Sequence, residues 1–189
     1  MKEQILEPLL RKMRIAQILP TLRRFHDCRM LDVGCGWEAR LLREVEPYIA
    51  QGIGIDFKAP NVQTEKIRTL QVTLDKTLPF EDTTFDVVTM LAVLEHLAEP
   101  EAIVAEVSRV LKPGGVLVGT VPSTWSKPFL EFLSFKLNII NAAEIRDHKR
   151  YYNRKILNDF FKKAGFVNFE HHYFQMRMNN FFCVERAVT

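Results

Sequence analysis

Hydrophobic positions recur at two spacings along this chain, and the switches between them mark its elements. From Pro8 to Leu19 the apolar residues Leu9, Met13 and Ala16 lie about one helical turn apart; Pro8 suits a first turn, and Pro20 is expected to stop the helix. Strand and helix patterns then alternate. Arg29 to Val33 reads as a strand, Trp37 to Glu46 as a helix ended by Pro47, Gln51 to Asp56 as a strand, and Leu70 to Leu74 as a further short strand. Phe85 to Leu91 is largely apolar, as expected of a central strand covered on both faces.

A helix over Glu99 to Leu111 carries Ile103, Val104, Val107, Val110 and Leu111 on one side, and Lys112-Pro113-Gly114-Gly115 breaks it before a strand from Val116 to Val121. Asn153 is placed to cap a second amphipathic helix that runs to Ala164 and stops at Gly165. Phe166 to Phe174 and Asn180 to Val188 then read as an antiparallel pair. Five alternating strands followed by a hairpin predict an α/β fold with an open, mostly parallel, doubly wound sheet.

The 189 residues fit one domain, with residues 1–28 as an N-terminal helical extension and residues 123–152 as an inserted helical lid. The inserted stretch is rich in Trp, Phe, Leu and Ile, so it suits an acceptor with hydrophobic bulk; it leaves room for a peripheral membrane contact through 123–140, and packing on the domain or on a second subunit is the plainer alternative. Composition narrows the function classes further. With 47% hydrophobic and 26% charged residues the chain is globular, and a net charge of +3 is too small to point to nucleic acid. Three cysteines, Cys28, Cys35 and Cys183, have neither disulfide nor zinc spacing and suit a reducing cytoplasm. Glu3 and Glu7 interrupt the leading apolar stretch, and no run of eighteen apolar residues occurs, so neither export nor a membrane span is expected. The oligomeric state stays open between monomer and homodimer.

The chemistry concentrates where the first strand ends, in Met30-Leu31-Asp32-Val33-Gly34-Cys35-Gly36. A strand that runs into a turn without side chains lets a ligand approach the backbone, and Asp32 can accept hydrogen bonds from it. Gly34 to Ala39 also satisfies the dinucleotide fingerprint G-x-G-x-x-G/A. Asp56 follows about twenty residues later, at the end of the next strand, where a carboxylate can take both hydroxyls of a ribose. Asp75 can accept from an exocyclic adenine amine, with Leu74 or Leu78 against the ring; for both acids the plainer reading is a turn cap.

The ordered set LDVGCG, GIGID, LPFEDTTFDVV, VLEHL, LKPGG and a late helix ending in AGF resembles the class I S-adenosylmethionine-dependent methyltransferases, particularly the type 11 branch, over roughly residues 29 to 170. The resemblance implies a Rossmann-like sheet of seven strands with an antiparallel terminal hairpin, and S-adenosylmethionine as cofactor. It implies that Asp32, Gly34, Cys35 and Gly36 surround the methionine portion, Asp56 holds the ribose and Phe57 flanks the adenine. Asp75 and Lys76 would lie near the adenine amine, with Leu91, Ala92 and His96 on the methyl-donor side. The family's third glycine is replaced by Glu38.

The expected function is methyl transfer to a small or lipid-linked acceptor, with oxygen as the expected atom and no metal. A positioned imidazole can take a hydroxyl proton, so His96 is the first candidate base and His148 the second. Two alternatives remain: a catalytically silent S-adenosylmethionine-binding protein that works through a partner, favoured by Glu38, and a dinucleotide oxidoreductase, supported by the literal fingerprint alone.

Overall fold

A computed structural model describes residues 7–126 and 150–188. Its centre is a seven-stranded sheet in the order β3-β2-β1-β4-β5-β7-β6. The strands are β1 (Cys28–Val33), β2 (Ile49–Asp56), β3 (Ile67–Gln71), β4 (Phe85–Leu91), β5 (Leu111–Pro122), β6 (Phe166–Phe174) and β7 (Asn179–Arg186). The first five pair in parallel, while β7 runs antiparallel to both β5 and β6. The expected doubly wound sheet with a terminal hairpin is therefore present.

Helices α1 (Glu7–Arg24) and α2 (Arg40–Val45) cover one face of the sheet, where Ile15, Ile18, Leu22 and Leu42 meet Met30, Val118 and Phe181. On the other face, α3 (Pro100–Val110) and α4 (Arg154–Lys163) bring Val104, Val107, Leu157 and Phe161 against Leu31, Val88 and Leu117. The side chain of Asn153 accepts from the Ile156 N–H at 2.9 Å, so α4 starts on the cap that the sequence predicts.

Local signals and packing disagree in four places. Pro20 does not stop α1 but sits inside it. An interior proline costs roughly 3 kcal/mol, and the complete burial of Ile18 and Leu22 two residues either side offsets that at roughly 2 kcal/mol each. The second helix begins at Arg40 rather than Trp37 because Ala39 takes a left-handed conformation (φ 48°), and Pro47 belongs to a 3₁₀ turn, Glu46–Tyr48. Strand β3 lies three residues earlier than the apolar run suggests: Ile67 is buried beside Gly52, and Val72 N–H closes on the Asp56 carbonyl at 3.0 Å as the chain leaves the sheet. Lys112-Pro113-Gly114-Gly115 does not separate helix from strand but forms an irregularity inside β5, between the Phe85–Leu111 and Val87–Val116 pairings. Of the expected lid, residues 127–149 lie outside the described residues, as does His148.

Candidate active site

The winding of the sheet reverses between β1 and β4, so a crevice opens beyond the carboxyl ends of these strands. Four hydrogen bonds build its floor. Gly34 and Cys35 donate their N–H groups to the Ile55 carbonyl at 2.8 and 3.1 Å, which folds the turn back on β2. Gly36 N–H donates to Asp56 Oδ2 at 3.1 Å, and Lys58 N–H donates to Asp56 Oδ1 at 2.8 Å. The half-buried Asp56 carboxylate thus ties the glycine turn to the end of β2. Gly34 (φ 79°) and Gly36 (φ 68°) both need the left-handed region. A β-carbon on Gly34 would fall 2.3 Å from Val93 Cγ2, whereas one on Gly36 would meet open space.

Asp32 sits one strand over, 2% exposed, and its Oδ1 accepts from the Thr89 hydroxyl at 2.7 Å. Burial pushes its carboxyl up to about 7; the Thr89 hydrogen bond opposes this, and Asp56 adds to it. The folded state therefore holds this proton more tightly than the unfolded chain. The stability contributed is full below about pH 4 and is lost as pH rises through about 7. Asp32→Asn is expected to flatten the fall in melting temperature of the ligand-free protein between pH 5 and 8, as read in a pH series of thermal melts. An unchanged slope would remove Asp32 as its source.

The other predicted residues divide. The Cys35 side chain is buried against Gly54, and burial raises its thiol strongly, so only its backbone is presented to the crevice. Phe57 is 58% exposed beside the end of β2, with Lys58 Nζ 4.8 Å from its ring centroid. Asp75 is exposed, while Lys76 pairs with Glu99 at 3.3 Å. Leu78 lies in the core and is not free to meet a ligand ring; Leu74 packs at the core's edge. Leu91 closes β4, Ala92 follows it with a left-handed backbone, and His96, half-buried, sits in the next turn. The Glu38 carboxylate pairs with Arg40, and Arg43 Nε donates to its carbonyl at 3.0 Å. The two adjacent histidines of β6 are engaged separately, His171 by Asn180 at 2.8 Å and His172 by Gln17 at 2.7 Å.

Sequence reasoning passed over Glu95. It is 1% exposed, and among the described residues neither carboxylate oxygen has a hydrogen-bond partner. Burial pushes the acid up to about 8, with its own backbone N–H and then Arg14 opposing the shift. The signal was Leu94-Glu95-His96-Leu97, an acid between two leucines that both prove to be core.

A mostly parallel sheet in this order, with a glycine turn after β1 and an acid at the end of β2, defines a nucleoside-binding α/β protein. The methyltransferase domain family matches residues 31–119. A ubiquinone/menaquinone biosynthesis C-methyltransferase of Desulfotalea psychrophila is 29% identical over 77% of this chain and 68% of its own length. A ubiquinone biosynthesis O-methyltransferase of Cereibacter sphaeroides is 29% identical over 75% of this chain and 61% of its own. The chain thus spans about two thirds of the length of these curated relatives. The fold is shared with an S-adenosylmethionine-dependent methyltransferase structure from Mesorhizobium loti (TM-score 0.66, 16% identity, 89% and 97% of the two chains). In this domain match, in these relatives and in fold, the chain is similar to the class I S-adenosylmethionine-dependent methyltransferases.

Proposed function

We propose that this chain methylates a hydroxyl group on a small or lipid-linked aromatic acceptor, with S-adenosylmethionine as donor. The observation that carries this reading is the Asp56 carboxylate bridging to Gly36 N–H across the open glycine turn. Each Asp56 oxygen has one backbone donor and keeps a further accepting site, as a pair of ribose hydroxyls requires. The open space beside Gly36 leaves the backbone accessible to the methionine portion. Asp32 lies on the same side and suits a cationic amino group, and Phe57 offers an exposed ring to the adenine. Asp75 and Lys76 remain assigned to the adenine edge, and Leu91, Ala92 and His96 to the side where the acceptor enters.

When bound, the donor supplies a carbon already activated by its sulfonium. The protein's part is to hold the acceptor in line and keep water out. The pairing of Glu38 with Arg40 supports donor binding over a plugged turn, and the quinone-type names of the relatives support a hydroxylated ring as acceptor. Among the described residues no helix is long and apolar enough to cross a membrane. Trp125, 71% exposed at the start of the 123–140 stretch, is in keeping with a peripheral contact with lipid there.

Radiolabelled methyl donor, incubated with the protein and a set of hydroxylated prenyl-phenols, is expected to leave label in the organic phase. Label on carbon would shift the reading to C-methylation. Binding of S-adenosylhomocysteine without any transfer would favour the silent binder.

A further inference from the structure

Three separate pieces of chain meet at the tip of the β6–β7 hairpin. Gln175, Met176 and Arg177 form the turn, and all three hold a left-handed backbone (φ 49°, 54° and 68°) although none is glycine. Such a run is unfavourable for residues with a β-carbon and persists only where the surroundings fix it. Here they do. The buried Gln175 side chain donates to the Leu10 carbonyl of α1 at 3.1 Å and accepts from Asn179. Ser123, just past β5, donates its hydroxyl to the Arg177 carbonyl at 2.6 Å and its N–H to the Met178 carbonyl at 2.8 Å. What this tethering presents to solvent is apolar: Met176 is 85% exposed, Trp125, two residues after Ser123, is 71%, and Leu9, next to Leu10, is 56%.

Charge follows the same outline. Segments 8–14, 122–126 and 174–178 contain Arg11, Lys12, Arg14 and Arg177 and no acidic residue, and Lys12 and Arg177 are exposed. Strand polarity fixes where this face points. β5 and β6 both run antiparallel to β7, so both end on the edge of the sheet where the crevice opens, and Pro122, Asn179 and Phe174 lie in one row across them. At about 5 Å per strand, the tip stands about 10–15 Å from the end of β4. Apolar and aromatic side chains on a cationic rim without acids are complementary to an anionic bilayer. We propose that the β6–β7 tip, with Trp125 and the start of α1, docks on an anionic lipid surface and brings the mouth of the crevice against it. This rests on the lipid-linked acceptor reading above and names the side from which such an acceptor enters. Met176 and Trp125 reach the boundary of headgroups and acyl chains, a depth that suits an indole with its single N–H, while Lys12 and Arg177 meet lipid phosphates.

The test is sedimentation of the full chain with vesicles of mixed phosphatidylcholine and phosphatidylglycerol, beside vesicles of phosphatidylcholine alone. The wild type is expected to prefer the mixed vesicles, with binding that falls as salt rises. Met176→Asp should bind them about tenfold and Lys12→Gln about fivefold more weakly. Aspartate tolerates the left-handed backbone and position 176 is exposed, so Met176→Asp should melt within about 2 °C of the wild type. Its affinity for S-adenosylhomocysteine and its transfer to prenyl-phenols dispersed in detergent should be unchanged. Trp37 and Trp125 are the two tryptophans, so in Trp37→Phe the emission comes from Trp125 alone and should shift to the blue on mixed vesicles. No sedimentation of the wild type, equal binding to both vesicle types, equal binding by Met176→Asp, or unmoved Trp125 emission overturns the docking face. A concentration-dependent dimer without vesicle binding overturns it in favour of a second copy of the chain. Vesicle binding that depends on Met176, without transfer to any phenol by the wild type, sustains the face and removes the proposed function.

Discussion

Asp56→Ala is expected to weaken S-adenosylhomocysteine binding about 100-fold, from the loss of two charge-assisted hydrogen bonds worth together about 3 kcal/mol. The folded ligand-free protein should lose less. The Gly36 and Lys58 N–H groups lose their side-chain acceptor but lie next to solvent, so the cost to folding is about 1 kcal/mol, or about 2–4 °C in melting temperature. Asp56→Asn keeps an oxygen acceptor and should fall between, about tenfold weaker in binding. Calorimetric titration beside thermal melts separates the two losses. Equal losses of folding and binding would make Asp56 a turn cap and nothing more.

Gly34→Ala is the second large effect, and it acts on the fold first. A β-carbon there would lie 2.3 Å from a branched methyl of Val93, on a residue already at φ 79°. The left-handed backbone costs an alanine about 1 kcal/mol, and the overlap adds about 1–3 kcal/mol. The melting temperature should drop by about 5–12 °C, and donor binding should weaken with it, because Val93 holds the turn after β4 over the glycines. Adding Val93→Ala should recover the overlap but not the backbone cost. A double variant no more stable than Gly34→Ala would show that the contact with Val93 is not what constrains the turn.

Much of this architecture was legible before any coordinates. β4 and β6 have the bounds that their apolar patterns predict, and Asn153 caps α4, because strand period and capping are local properties of a few adjacent residues. The glycine turn and Asp56 were legible too, since a left-handed turn and a strand-end carboxylate each narrow the residue choice sharply. Less legible was how each acid is used. Glu38 departs from the family pattern and looked like a threat to the ligand; its answer, Arg40, stands two residues away but is chosen by where Ala39 points the chain. His96 drew attention because an imidazole titrates near neutrality, yet its neighbour Glu95 has the buried carboxylate.

The sequence alone determined the succession of elements, the glycine turn and the acids that end the first two strands, because periodicity and backbone stereochemistry act over a few residues. Only the tertiary structure decided that α1 runs through Pro20, that β3 pairs three residues early, and that Glu95 is buried after β4. Each of these depends on burial, which sums contacts from segments far apart in the chain and leaves no local trace.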